Sequence, residues 1–240
     1  MKTKSLQTNI NSKPTDLYRW LALGSIAGPV IMTLAWIILG LIRPAIKTEW
    51  GISGGVIGMI TQPFSGLGIG INGELFNIAF ILNGLLTIAG VIGIFQVIDA
   101  SKKEKLHPIS MLLLASSGVG SMLCGIFTLE SFLMHMLGFI LACAAPAFGF
   151  LTTGLLLKKT QTWTKIGSLL IYACPLTLVL LVIFFITFQY DLMAAGKGFA
   201  GLSERVLVLE VMFWYAALGW LALRQTYSNA KSSLLGTALR

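Results

Sequence analysis

Residues 75–98 read LFNIAFILNGLLTIAGVIGIFQVI, 24 positions without an Asp, Glu, Lys or Arg. A helix needs roughly 20 apolar residues to cross the hydrocarbon core of a bilayer, so this stretch predicts a transmembrane helix. Five further stretches read the same way, at about 20–42, 109–129, 135–157, 166–189 and 204–223. The composition agrees: 56% of residues are hydrophobic and 11% charged, against roughly a quarter charged in ordinary soluble domains. The predicted fold class is therefore all-α, an integral membrane bundle of six transmembrane helices. A chain of 240 residues has no room beside such a bundle for a separate soluble catalytic domain.

Basic residues orient the bundle, because cytoplasmic connections retain Lys and Arg. Lys2, Lys4, Lys13 and Arg19 precede the first span, and Lys102, Lys103 and Lys105 follow the second. Lys158, Lys159 and Lys165 follow the fourth, and Arg224, Lys231 and Arg240 follow the sixth, so 13 of 17 basic residues fall on one side. Arg43, Lys47, Lys197 and Arg205 fall on the other, mixed with Glu49, Glu74, Glu130, Asp191 and Glu204. Both termini are thus expected in the cytoplasm of a cell whose plasma membrane holds the protein. The expected divisions are a cytoplasmic segment 1–19, a membrane domain 20–223 and a cytoplasmic tail 224–240. The net charge of +8 reads as a topology signal with some attraction to anionic headgroups. The expected partner is the lipid bilayer, with no nucleic acid, since no basic cluster is interleaved with aromatic residues on a soluble face.

The run from Trp20 to Ile42 is too long for a signal-peptide core of about 7–15 residues, and Arg43-Pro44-Ala45 is no small-residue cleavage site. It reads as a retained first helix. Trp20, Trp163 and Trp220 mark one membrane boundary, and Trp50 and Tyr190 the other. Cys124, Cys143 and Cys174 fall inside spans without metal-ligand spacing, which fits buried, inert thiols. Pro29, Pro146 and Pro175 lie within spans, where each removes a backbone hydrogen bond. Ser117 and Ser121, like Ala145 and Gly149, are small residues four apart, a spacing that lets helices approach closely.

The first connection is unlike the others. Residues 51–70 are apolar enough for lipid, yet seven glycines and Pro63 interrupt them. Non-helical backbone persists at membrane depth only where protein buries it or water reaches it. The segment therefore either folds over the outer mouth of the bundle or lies as a loop on the headgroups. It leads, through Ser65-Gly66-Leu67-Gly68, to Phe76-Asn77 at the start of the second span. Gly125-Ile126-Phe127 later precedes His135, and Gly201-Leu202-Ser203-Glu204-Arg205 opens the last span.

In these elements the chain resembles the domain-of-unknown-function 998 family, small and mainly prokaryotic polytopic membrane proteins. Where similar chains often carry an acidic residue after Gly-Ile-Phe-Pro, this one has Thr128-Leu129-Glu130. The resemblance implies a polytopic membrane protein and no particular activity.

Charged groups inside a bilayer are costly, by about 2.5–3.5 kcal/mol at a helix centre, and turn toward the bundle interior or water. Glu210 lies six residues beyond Glu204, or roughly 9 Å along a helix. It shares a face with Ser203, Leu207, Trp214 and Ala217 by three- and four-residue spacing. It reads as a proton, cation or ligand site, or as a carboxylate locking the last helix to a neighbour. Glu74, Asn77 and Asn83 open and line the second span, where amides serve as interhelical hydrogen-bonding groups. Arg205 among Glu204, Glu210 and Asp191 reads as an ion-pair hub, or equally as a holder of an anionic headgroup. Glu130, Ser131 and His135 flank the third connection; a Ser–His pair invites a hydrolase reading, but no orienting acid or oxyanion hole is legible. His107 is the only other histidine, so no multi-histidine metal site is expected, and no Walker loop is present.

The candidate ligand-binding or polar cluster is thus Glu74, Asn77, Glu130, His135, Glu204, Arg205 and Glu210, without catalytic assignment, metal or cofactor. The leading expectation is a non-catalytic protein that transports, binds or assists in handling a lipid or small lipophilic ligand in a polar cavity near the outer face. The competing one is an intramembrane enzyme acting on a lipid or lipophilic substrate with His135 and carboxylates as acid and base. Reporter fusions after Lys103, Lys159 and Arg240 are expected to report a cytoplasmic location and those near Lys47 and Lys197 an external one. The reverse pattern would refute the orientation.

Overall fold

The structure, a computed structural model, describes residues 13–97, 105–159 and 161–238, with side chains described for 17–97, 105–159 and 162–225. Lys2, Lys4, Lys102, Lys103 and Arg240 lie outside the described residues, as do the side chains of Lys13 and Lys231. Among the described residues six helices are long and apolar enough to cross a membrane: Leu17–Ile42, Gly73–Val97, Leu106–Ile126, Leu129–Lys158, Thr164–Thr187 and Ala200–Gln225. The protein is a multi-pass membrane bundle, and its even number of crossings returns the chain to the end at which it started.

The first crossing consists of α1 (Lys13–Ala22) and α2 (Gly24–Ile42), broken by a turn at Leu23. A hairpin of β1 (Ile46–Thr48) and β2 (Gly51–Ser53) follows, then α3 (Gly55–Thr61) and a 3₁₀ turn at Phe64–Gly68. The next two crossings are α4 (Gly73–Val97) and α5 (Leu106–Ile126). The fourth crossing joins α6 (Phe132–Phe139) to α7 (Ala145–Lys158) through a π turn at Ile140–Ala144. The last two are α8 (Thr164–Thr187) and α10 (Ala200–Ala238), with the short α9 (Tyr190–Ala194) between them. The fourth crossing begins earlier than its hydropathy suggested, because a 3₁₀ turn at Leu129–Ser131 runs straight into α6 and buries Leu129. At the other extreme α10 passes residue 224 without a break and continues to Ala238.

The crossings close into a ring: α4 packs against α2 and α5, α7 against α5 and α8, and α10 against α8 and α2. The outward faces are apolar, as lipid demands; Val30, Leu34, Tyr172, Val179 and Phe213 are all exposed. Prolines shape the spans unequally. Pro29 and Pro175 sit inside continuous helices, whereas Pro146 follows the π turn. Pro146 lacks the N–H that would bond the Ala142 carbonyl in an α-helix. There the helix widens, and Ser117 Oγ on α5 donates to Ala142 O at 2.9 Å. Cys124, Cys143 and Cys174 are free and buried.

The glycine-rich connection folds over one mouth of the ring, so the first of its two sequence readings is the one realised. Ile46 pairs with Ser53 and Thr48 with Gly51 across the hairpin. Trp50 at its tip stacks on Phe132 of α6 and meets Tyr190 of α9 edge-on, each at 5.7 Å between centroids. Every residue from Thr61 to Gly68 is buried, although Val56 and Ile57 of α3 face outward. Arg43 staples this cap. It is buried, and its guanidinium donates to Ser53 Oγ (3.0 Å) and to the carbonyls of Leu67 (3.0 Å), Ile69 (2.8 Å) and Ile71. The planar fork of arginine suits several acceptors at once, and lysine cannot match it. Arg43→Ala is expected to destabilise the detergent-solubilised protein by on the order of 3 kcal/mol, because buried carbonyls lose charge-assisted donors. Arg43→Lys should recover only part of that loss in a melting experiment, and a melt unchanged by either substitution would contradict the staple.

Candidate functional site

The start of α10 grips the cap backbone at two points. Pro63 breaks the chain between α3 and the 3₁₀ turn and leaves the Gln62 carbonyl and the Phe64 amide without helical partners. Phe64 N–H donates to Glu204 Oε2 at 2.6 Å, and Arg205 Nη1 donates to Gln62 O at 3.1 Å and to Gly201 O at 2.9 Å. The Arg205 guanidinium also lies 5.4 Å over the Trp36 ring, a cation–π contact strengthened by burial. Close approach requires Gly201, since a Cβ there would run into the Gln62 carbonyl. On the opposite side Asn77 Nδ2 donates to Gly68 O at 3.0 Å, and Gly68 leaves the space that the Asn77 amide occupies.

Beneath the cap lies a cavity of about 40 Å³, measured to the centre of a water molecule. That is room for about three waters. Five of the six crossings line it: Pro29 from the first, Asn83 and Thr87 from the second, Ser117 and Ser121 from the third, His135 and Cys143 from the fourth, and Glu204, Met212 and Tyr215 from the sixth, with Phe64 and Ser65 of the cap as its lid. Most of these polar groups are already paired. Asn83 Nδ2 donates to Ser121 Oγ (2.9 Å), which donates to Phe80 O (2.7 Å), and the Tyr215 hydroxyl donates to Leu114 O (2.7 Å). His135 Nδ1 lies 2.7 Å from Phe127 O at the end of α5. A carbonyl can only accept, so Nδ1 carries the proton, and a neutral ring keeps its lone pair on Nε2. Asn83 Oδ1, by contrast, is buried without any partner. Glu204 is 2% exposed, and the amide of Phe64 engages one of its two oxygens.

The seven residues expected to form one cluster therefore occupy four places. His135 and Glu204 line the cavity, while Asn77 and Arg205 hold the cap. Arg205 does not gather the three carboxylates: it meets backbone carbonyls and the Trp36 indole, with Glu204 alone as its carboxylate neighbour, because the cap lies where the others were expected. Glu210 turns away from the cavity toward α8. There Thr177 Oγ1 lies 2.9 and 3.1 Å from its two oxygens, and Trp214 Nε1 donates to it at 2.6 Å. Ser203 on the same face meets Thr187 of α8 at 2.6 Å. That face does look into the bundle, but at a helix–helix seam. Glu74 and Glu130 are exposed, and Glu130 is met by Thr128 Oγ1 at 3.3 Å. Ser131 is exposed while His135 is buried, so the geometry does not align them as nucleophile and base. Among the described residues no three His, Cys, Asp or Glu side chains gather where a metal could be held.

The short elements that carried the family resemblance meet around this one structure. Ser65 to Gly68 form the lid, and Asn77 binds it. Gly125 lets α5 approach the Asn77 carbonyl, Phe127 receives His135, and Gly201, Glu204 and Arg205 grip the lid from α10. A family model described as "Protein of unknown function (DUF998)" matches residues 26–221. The chain belongs to this family. No curated protein and no solved structure matches it. In this DUF998 protein the matched region runs from α2 through α10 and includes both cap and cavity.

Glu204→Ala removes the acceptor of the Phe64 amide and is expected to cost about 1–3 kcal/mol. It should also speed labelling of a cysteine at Ser65 by a membrane-impermeant thiol reagent. Glu204→Gln keeps an acceptor oxygen and should leave labelling slow. Glu210→Ala should not change it, because that carboxylate serves the α8 seam. Equal labelling in all three would dissociate Glu204 from the lid.

Proposed function

We propose that this protein is a non-catalytic membrane component that binds a small molecule, or the polar head of a lipid, in the capped cavity, in a transport, binding or accessory role. The observation that carries this reading is a buried hydrogen-bonding site left incomplete. Glu204 lines the cavity with a carboxyl of which the Phe64 amide engages one oxygen, and the Ser65 and Thr87 hydroxyls line the same small space. A buried polar group left short of partners costs free energy comparable to a lost hydrogen bond, which a ligand bonded to these groups would recover. Asn83, Ser121 and Phe80 O form a chain of hydrogen bonds that fixes one wall of the cavity. The lid, pinned from α2, α4 and α10, separates the cavity from the adjacent aqueous face.

The orientation that accompanies this reading places both termini in the cytoplasm, the membrane domain at 20–223 between cytoplasmic segments 1–19 and 224–240, and the cap at the external face of a prokaryotic plasma membrane. Its support is the distribution of basic residues. The second reading is an intramembrane enzyme, favoured by one observation: His135 and Glu204 line the same cavity. Against it, Ser131 lies on the surface, and the His135 ring is anchored to the end of α5.

Native mass spectrometry of the gently purified protein tests the binding reading. The wild type is expected to retain a bound small molecule or lipid, and Asn83→Leu to lose most of it while remaining folded. A bare chain in the wild type, or an adduct indifferent to Asn83→Leu, would overturn the reading. A ligand released in chemically altered form, with alteration abolished by His135→Ala, would favour the enzyme.

A further inference from the structure

The cavity shares two wall residues with a second space that opens on a different side of the molecule. Between α2 and α10 runs an apolar groove of about 420 Å³, lined by Val30, Leu34, Leu209, Phe213 and Ala216 and floored by Pro29 and Met212. Pro29 and Met212 also line the polar cavity, so the barrier between bilayer and cavity at this level is a ring and a thioether side chain. Met212 is unbranched and adaptable; it packs in the core, and Thr33 Oγ1 lies 3.8 Å from its sulfur. The groove faces lipid, since Val30, Leu34 and Phe213 are exposed on membrane-spanning helices. From Leu209 to Ala216 it extends about 10 Å along α10.

Resting on the binding reading above, we propose that the ligand is a membrane amphiphile admitted sideways between α2 and α10. Its hydrogen-bond-donating head, a hydroxyl or amine, sits in the cavity, and its hydrocarbon chain lies in the groove. The chemistry of the head follows from what the cavity offers. Glu204 lines it with a carboxyl of which the Phe64 amide engages one oxygen, the Ser65 and Thr87 hydroxyls can donate or accept, and the Arg205 guanidinium, next to Glu204, turns to the Gln62 and Gly201 carbonyls and Trp36. A carboxylate or phosphate head would set its oxygens and negative charge against the Glu204 carboxyl, whereas a hydroxyl or amine can donate to it. Space for about three waters admits a head of only a few heavy atoms. The length of the apolar groove makes the rest of the ligand a chain.

The test uses the full chain in nanodiscs and a monoacylglycerol carrying a diazirine in its acyl chain, beside a long-chain amine and a fatty acid with the same diazirine chain. Photolabelling by the monoacylglycerol or the amine is expected at Leu34, Leu209 or Phe213, to saturate, and to exceed that by the fatty acid by about tenfold, the ratio for 1.4 kcal/mol. The stronger of the two identifies the donor head. Ala216→Trp fills the groove without touching the cavity and should abolish this labelling. Leu34→Trp, from the opposite and lipid-exposed wall, should do the same if Ala216→Trp fails to fold. Loss of groove labelling in these variants while native mass spectrometry still shows the bound ligand would overturn sideways admission and leave the binding reading intact. Unsaturable labelling, equal for all three probes and indifferent to Asn83→Leu, would show ordinary bilayer lipid coating the face and overturn both.

Discussion

Backbone that leaves the helix at membrane depth must find a partner for each amide and carbonyl, because hydrocarbon supplies none. In this protein that constraint falls on the segment between Arg43 and Gly73, and a few side chains from the bundle answer it. Arg43 collects acceptors from Ser53 to Ile71. Glu204 and Arg205, adjacent on α10, take the amide and carbonyl on either side of Pro63, and Asn77 takes the Gly68 carbonyl. The cap thus hangs from three different crossings, so it also ties α2, α4 and α10 together at one mouth of the ring.

The same attachments produce the cavity. A side chain reaching up to the lid cannot fill the space below it, and the π turn before Pro146 widens the fourth crossing where Ala142 and Cys143 face that space. Serines and an asparagine then line it in place of leucines. Ser117 satisfies the Ala142 carbonyl freed at the π turn, and Asn83 and Ser121 bond each other and the Phe80 carbonyl of α4. What is left over at the cavity wall is the bonding capacity of Glu204 and of the Ser65 and Thr87 hydroxyls, and the proposed ligand rests on it.

The bundle was legible because hydropathy over more than twenty positions is set by lipid contact and owes little to tertiary detail. All six crossings could be read from 20–42 through 204–223, with their ends displaced by a few residues, furthest at the fourth, where a 3₁₀ turn extends it. The site was less legible. His135 and Glu204 stood out as polar residues in or beside apolar spans, and both line the cavity. Glu210 stood out for the same reason, yet its hydrogen bonds with Thr177 and Trp214 belong to a seam; a helix face can look inward without facing the cavity, and spacing alone does not tell the two apart. Glu74 and Glu130 were drawn in by proximity to one membrane face, which places a residue in height but not around the ring. Arg43 was passed over because a basic residue at the end of a span usually flanks the membrane. Its role depends on carbonyls up to 28 residues away, which no local pattern displays. Asn83 was visible as a mid-span amide, but its unpartnered oxygen is a tertiary fact.

The central claim is that residues 62–68 form an ordered lid at the mouth of the bundle rather than a loop on the headgroups. Hydrogen–deuterium exchange of the protein in lipid nanodiscs measures this directly. The account predicts that peptides covering Gln62 to Gly68 exchange as slowly as those from the cores of α4 and α5. Exchange of that segment at the rate of an unstructured chain, with the spans still protected, would contradict it.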